Sequence, residues 1–128
     1  MLSTGGRRLT IFMAAENCLF CKIAHGEIPG KIVFQDEHVV AFEDINPQAP
    51  VHVLLIPRQH IASITDLTLD DGPVLAQIFT AAQKIAHETK VDESGYRLVS
   101  NVGPDAGQSV FHVHFHLLGG RRFGWPPG

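Results

Sequence analysis

The sequence predicts an α+β domain in which about five strands form a mostly antiparallel sheet, with one long and one short helix. Five short apolar runs have the length and composition of strands, and the connections between most of them are short enough for hairpins. One longer stretch carries apolar residues at helical spacing. A parallel βαβ nucleotide-binding fold is disfavoured, because no G-x-G-x-x-G follows the first strand.

The chain length, the net charge and the length of the apolar runs argue against some classes of function. The 128 residues, 45% of them hydrophobic, suffice for one domain with its own core. We expect residues 1–14 to form a flexible leader and residues 15–128 to form the domain. A net charge of −3 argues against a nucleic-acid partner. No apolar run approaches the roughly 20 residues needed to cross a bilayer, so we expect no membrane partner.

The first half of the chain predicts a short helix or turn followed by three strands. Cys18–Ile23 is the helix or turn segment. Lys31–Phe34 and Val39–Phe42 are apolar runs separated by four polar residues, which predicts a hairpin. Asp44–Pro50 contains two prolines and is expected to be a loop. Val51–Pro57 predicts a buried strand that ends at its proline.

The second half predicts the long helix and two further strands. Asp70 or Asp71 can cap the helix, and Pro73 suits its first turn. The helix is expected to end near Thr89, and its apolar stripe comprises Leu75, Ile78, Phe79, Ala82, Ile85 and Ala86. Tyr96–Ser100 is the next strand. A loop over residues 101–109, rich in Gly, Pro and Asp, leads to the last one.

The predicted last strand carries the histidines that suit metal binding or catalysis. From His112 to Leu117, histidines alternate with apolar residues, so a strand would place the rings of His112, His114 and His116 in a row on one face. Such a row suits a metal site, nucleophilic catalysis, or a histidine-rich surface without a role. The preceding Gly107-Gln108-Ser109 offers a flexible turn, a hydroxyl and free main-chain N–H groups, which favour an anion. An anion beside a nucleophilic imidazole indicates phosphoryl chemistry.

Other residues extend this candidate site. His52 begins a strand that can pair near the histidines, although a partly buried structural histidine is equally consistent with its spacing. Asp44 stands before the proline-rich loop, where a carboxylate can bind a ribose diol. Cys18 and Cys21 form a C-x-x-C pair, and this spacing favours redox or metal use over a long-loop disulfide.

The motif at His112–Leu118, H-φ-H-φ-H-φ-φ, resembles that of the histidine triad (HIT) superfamily. Asp44–Pro50, Ala106–Val110 and Gly119–Gly128 resemble the Hint branch, so the resemblance runs from about Cys18 to the end of the chain. It implies a HIT-like fold and a cytoplasmic homodimer. We expect the long helix and the strand after residue 95 to pack across a two-fold axis.

The resemblance also implies an activity, which is hydrolysis of purine nucleoside phosphoramidates (AMP-lysine or AMP-NH2 type) to AMP or GMP and an amine. His114 would be the nucleophile that carries a nucleotidyl group. His112 would orient His114, partly through its main-chain carbonyl. His116 and Ser109 would contact the phosphate or the leaving group, and His52 would join the same hydrogen-bonded set. Catalysis would require no cofactor.

Nucleotide contacts follow from the same resemblance. Expected binding residues are Phe20, Ile23, Phe42 and Ile45 for the purine, Asp44 for the ribose, and Asn101, Gly107, Gln108 and Val110 on the phosphate side. The segment around Trp125 resembles one that reaches toward the partner subunit's site.

Some members of the superfamily use a C-x-x-C with two histidines as a structural zinc site. The corresponding set here is Cys18, Cys21, His60 and His112. If zinc takes the ring of His112, that ring leaves the catalytic set. Two other functions remain open: a non-catalytic nucleotide-binding or scaffolding protein, and a metal-dependent hydrolase or lyase that uses the three imidazoles as ligands.

Overall fold

In the computed structural model, which describes residues 17–128, one sheet of five strands organises the chain. The strands are β1 (Ile32–Gln35), β2 (Val39–Glu43), β3 (Val51–Pro57), β4 (Tyr96–Val99) and β5 (Phe115–Gly119). Their order is β1-β2-β3-β5-β4, and every neighbouring pair is antiparallel. The predicted sheet is therefore confirmed. The leader predicted at residues 1–14 lies outside the described residues.

The long helix also forms where the sequence predicts it. The helices are α1 (Leu19–Ala24), α2 (Gly72–Glu88) and α3 (Val91–Ser94), and single 3-10 turns occupy Ile64–Asp66, Leu69–Asp71 and Pro104–Ala106. Asp71 precedes α2, and proline stands in its first turn. The short α3 was not predicted. Among the described helices, none is both long and apolar enough to cross a bilayer.

The alternation of β3 divides the core between the two faces of the sheet. Val53 and Leu55 face the main cluster, which includes the buried stripe of α2. Leu54 and Ile56 face a smaller cluster that contains Phe20 of α1. Because residues two apart share a face, His52 points to the same side as Leu54 and Ile56. This second face carries the candidate site.

The prediction that three histidines share one strand is wrong for two of them. β5 begins at Phe115, so His112 and His114 precede it, and only His116 lies within it. Phe115 pairs with Leu55 of β3, and two residues further along β3 comes Pro57. Proline has no N–H to continue the hydrogen-bonded ladder. Released from the sheet, Val113 donates its N–H to the carbonyl of Ile61 instead.

Candidate active site

One ring nitrogen of His114 is hydrogen-bonded, and the other has no hydrogen-bond partner among residues 17–128. Its Nδ1 lies 2.7 Å from the main-chain oxygen of His112. A carbonyl oxygen only accepts hydrogen bonds, so Nδ1 must carry the proton. In the neutral ring, Nε2 then keeps its lone pair. The ring is 7% exposed, and the edge of Phe20 packs against it with centroids 5.0 Å apart. This arrangement suits a nucleophile.

His52 and His116 form a second hydrogen-bonded pair beside it. The main-chain N–H of Gln48 lies 3.0 Å from His52 Nδ1, and an N–H can only donate. In the neutral His52 ring the proton is therefore on Nε2, which lies 2.9 Å from His116 Nδ1. His116 Nδ1 accepts, so the neutral His116 ring carries its own proton on Nε2. The two tautomers thus follow in sequence from the Gln48 N–H, and the Asp44 carboxylate, whose Oδ2 lies 3.4 Å from His52 Nε2, favours the same proton on Nε2.

Burial favours the neutral forms of His52 and His116. It lowers the pKa of His116 to about 4, and the neighbouring His114 and His52 act in the same direction while Asp44 opposes it. Burial also lowers the pKa of His52, although the carboxylate of Asp44, whose Oδ2 lies 3.4 Å from His52 Nε2, raises it. The other oxygen of Asp44 accepts the N–H of Asn46 at 2.8 Å. Neutral imidazoles of this kind act as hydrogen-bond donors and acceptors rather than as fixed cations.

A cleft of about 530 Å³ opens onto His114 and His116. This is within the usual range for a small-molecule site. Its walls are formed by Leu19, Phe20, Ile23, Pro29, Gly30, Lys31, Phe42, Glu43, Asp44, Ile45, Leu54, Asn101, Gly107, Ser109, Val110, His114 and His116. One side is mainly apolar, whereas the histidines and Ser109 supply polar groups. The cleft therefore offers a slot for a flat apolar ring next to a polar reaction centre.

The structure brings most of the predicted site residues to this cleft. Among the predicted nucleotide contacts, only Gln108 is missing from the walls, because its side chain braces the loop by bonding the main chain of Ala62, Val110 and Gly103. His52 stands behind His116. The ring of His112 is absent from the cleft, and only its carbonyl contributes there.

Several wall residues were not predicted. Leu54 could have been found, because it shares a strand face with His52 by the two-residue period. Lys31 and Glu43 meet at the rim through an ion pair of 3.4 Å between strands that the sequence predicts to be a hairpin. Nothing local in the sequence distinguishes Pro29 and Gly30, which reach the cleft only through the path of the loop after α1.

The ring of His112 joins a separate cluster with the two cysteines. Its Nδ1 lies 3.3 Å from both Cys18 Sγ and Cys21 Sγ, and His60 Nδ1 lies 3.4 Å from Cys21 Sγ. The four donor atoms all lie within 4.8 Å of one another. The edges of a tetrahedron of sulfur and nitrogen ligands around zinc measure about 3.6 Å, given the usual Zn–S and Zn–N bond lengths. The geometry is therefore close to that of a Cys₂His₂ site.

The hydrogen bonding of this cluster also fits a metal. His112 Nε2 donates to the carbonyl of Pro57 at 2.7 Å, which leaves the single lone pair of Nδ1 facing two thiols. One lone pair cannot serve both donors fully, whereas a cation at the centre engages every ligand. Burial raises the pKa of Cys21 to about 12 and lowers that of His112 to about 4. A dication would overcome the raised pKa of Cys21 by binding the thiolate. The lowered pKa of His112 already leaves a neutral imidazole, which is the form that binds a metal.

Comparisons with known proteins identify the family of the chain. The family model described as the HIT domain matches residues 25–123. The purine nucleoside phosphoramidase of Escherichia coli K12 is 46% identical over 110 residues, which cover 86% of this chain and 92% of that protein. A HIT family hydrolase structure from Legionella pneumophila Philadelphia 1 is 56% identical, with a TM-score of 0.86, and covers 88% of this chain and all of the other. A HIT family hydrolase structure from Clostridium thermocellum is 50% identical, with a TM-score of 0.83, and the match covers 85% of this chain and 95% of the other.

The family model covers most of the chain, and the sheet with its long helix superposes on those solved structures. The chain belongs to the HIT domain family.

Proposed function

We propose that this protein is a purine nucleotide-binding hydrolase that cleaves the P–N bond of purine nucleoside phosphoramidates through a nucleotidyl group on His114. The observation that carries the proposal is the buried His114 ring, whose Nδ1–H is bonded to the His112 carbonyl while Nε2 stays free beside the cleft. The name of the Escherichia coli relative supports the choice of substrate.

The reaction follows in two displacements. The Nε2 lone pair of His114 attacks the α-phosphorus, the P–N bond breaks, and the amine departs with a proton. Water then attacks the same phosphorus and releases the nucleoside monophosphate and the free imidazole. The His112 carbonyl accepts Nδ1–H throughout and stabilises the positive charge that the ring gains when it is substituted.

His116 is placed to assist the departing nitrogen. Its ring is neutral, because burial lowers its pKa. Its Nδ1 accepts the Nε2–H of His52, so its own Nε2–H can donate a hydrogen bond to the departing nitrogen. That bond stabilises the charge that develops on the nitrogen as the P–N bond breaks, and solvent supplies the proton with which the amine leaves.

The walls of the cleft suit the rest of a purine nucleotide. Phe20 and Phe42, whose rings meet edge to face at 5.4 Å, form the apolar side together with Ile23 and Ile45. Ile45 is fully exposed in the free chain, so a base stacked there would cover it. The carboxylate of Asp44 lies at the cleft edge, where it can accept both ribose hydroxyls. Ser109 stands on the side of the histidines.

We also propose a structural zinc ion at Cys18, Cys21, His60 and His112. It would tie α1 to the segments after β3 and before β5, and it takes no part in the reaction steps above. A homodimer is the expected assembly, because β4 is an edge strand of the sheet that the described residues form, and it carries Leu98 at 36% exposure. Trp125, at 83% exposure, is available to a partner in such a dimer.

The alternative of a metal-dependent hydrolase with three imidazole ligands has less support. The rings of His114 and His116 are 5.1 Å apart, but that of His112 turns away to the cysteines. A non-catalytic nucleotide-binding protein would have the same cleft. Turnover distinguishes it from the enzyme.

The test is hydrolysis of adenosine 5′-phosphoramidate by the wild type and by His114→Ala. The variant should bind AMP but lose at least about two to three orders of magnitude in rate. His87→Ala removes an exposed histidine on α2 and serves as the matched control, which should keep full activity. Mass spectrometry of rapidly quenched wild type should show a chain carrying one nucleotidyl group. Full activity of His114→Ala would end the covalent mechanism, and activity lost in strong chelator would favour the metal-dependent alternative.

A further inference from the structure

From its contacts in the fold, we infer that Arg121 is a positioning residue for the active site, acting through the main chain of Gln48 on the tautomers of His52 and His116. The inference deepens the proposed function, on which its kinetic part depends. Arg121 lies just beyond β5 and is not among the walls of the cleft. Its side chain is connected to the reaction centre by hydrogen bonds through the main chain of Gln48.

The main-chain N–H and carbonyl of Gln48 are both hydrogen-bonded. Its N–H donates to His52 Nδ1 at 3.0 Å, and its carbonyl accepts the Nε–H of Arg121 at 2.9 Å. Fixing both peptide groups of one residue fixes its main-chain dihedrals and therefore the direction of the N–H. The Gln48 side chain is exposed and bonds only the carbonyl of Asn46, at 3.1 Å, so it does not provide this anchorage.

Arg121 itself is fixed by its surroundings. Its guanidinium lies 4.3 Å from the ring centroid of Phe123, and Nη1 donates to the carbonyl of Arg122 at 3.2 Å. Arg97 of β4 lies over the same ring at 5.2 Å. An arginine stacked on an aromatic ring loses less freedom when it donates a hydrogen bond than a mobile one does.

The turn after β5 is also packed closely against the loop that contains Gln48. Gly120 has a positive φ of 89°, and a Cβ there would come within 2.9 Å of Pro50 Cβ. The turn can approach this closely only with glycine at that position. Arg121 therefore extends from a turn that is already seated on the loop, and its bond to Gln48 connects the end of β5 to the start of β3.

The consequence for His116 follows from the order of donors and acceptors. With the Gln48 N–H in place, His52 Nδ1 must accept, His52 Nε2–H donates to His116 Nδ1, and His116 keeps its proton on Nε2. If the Gln48 peptide can rotate, the Asp44 carboxylate, 3.4 Å from His52 Nε2, continues to favour Nε2–H in part of the His52 population, while another part can take its proton on Nδ1. Its Nε2 then becomes an acceptor that His116 Nδ1–H can satisfy, which leaves the wrong nitrogen of His116 protonated.

The test compares Arg121→Met, which keeps the apolar stem and removes every donor, with Arg122→Met, which removes the same charge from the next residue. Long-range proton–nitrogen correlation spectra of ¹⁵N-labelled protein at pH 7 report which nitrogen of each histidine is protonated. The wild type and Arg122→Met should show His52 and His116 protonated on Nε2. Arg121→Met should show a fraction of His52 protonated on Nδ1 and an altered His116 signal.

Kinetics provide the second readout. Holding a catalytic imidazole in its working tautomer can contribute up to about 10⁴-fold to the rate, so partial release in Arg121→Met should lower kcat by roughly tenfold with a smaller change in KM. If Arg121→Met does not fold, Arg121→Ala carries the same test, because it also removes every side-chain donor to the Gln48 carbonyl. Wild-type tautomers in the folded variant would overturn the inference whatever its kcat. Lack of turnover by the wild type would instead overturn the proposed function, and the spectra would still decide the role of Arg121.

Discussion

Removal of metal from the cysteine–histidine cluster should lower the melting temperature strongly. Its ligands close long loops, since Cys21 is 91 residues from His112 and 39 residues from His60. By the chain-entropy relation for cross-links, closing the longer loop disfavours the unfolded state by about 4–5 kcal/mol. In a domain of this size, 1 kcal/mol corresponds to about 3–4 °C. A strong chelator should therefore lower the Tm by about 15 °C.

The assay is scanning calorimetry of protein purified without chelator, together with elemental analysis. We expect about one zinc per chain. Cys21→Ser should have a lowered Tm that responds little to chelator, whereas His87→Ala, far from the cluster on the surface of α2, should respond as the wild type does. The reasoning would be refuted by protein without bound zinc whose thiols titrate freely while it is folded, or by a Tm that chelator leaves unchanged.

Three further predictions concern the cleft and the assembly. Asp44→Asn should raise KM for a nucleoside phosphoramidate by about ten- to hundredfold with less effect on kcat, because it weakens a charged hydrogen bond to the ribose; steady-state kinetics at pH 7 test this, and an unchanged KM would contradict it. The folded-state pKa of His116 is lowered from 6.5 to about 4, so the unfolded chain binds more protons between these values. The contribution of His116 to the free energy of unfolding is complete above pH 6.5 and is lost as the pH falls toward 4. Melting temperatures measured across this pH range should therefore fall less steeply for His116→Gln than for the wild type. Sedimentation at micromolar concentration should give twice the mass of the chain, and Leu98→Arg on the free edge of β4 should give a monomer; a monomeric wild type would refute the dimer.

The sequence was sufficient for the sheet, the long helix and most of the cleft because each depends on a local pattern. Two-residue alternation identifies the strands, and helical spacing with Pro73 in the first turn identifies α2. The strand prediction failed where a long-range effect overrides the pattern. The alternation continues through His112 and His114, but the partner strand reaches Pro57 at that point and has no N–H to offer. Only the register between β3 and β5, which the sequence does not display, reveals that mismatch.

The end of pairing at Pro57 also explains how three histidines serve two different sites. On a continuous strand the rings of His112, His114 and His116 would share one face, and the His112 carbonyl would point sideways into the sheet. Outside the sheet, that carbonyl is free to accept Nδ1–H of His114, while the His112 ring reaches the cysteines. One residue therefore belongs to the cysteine–histidine cluster by its side chain and to the cleft by its main chain. Metal bound at His112 would hold that carbonyl in position, and loss of the metal would loosen the orientation of His114 without removing any group that reacts.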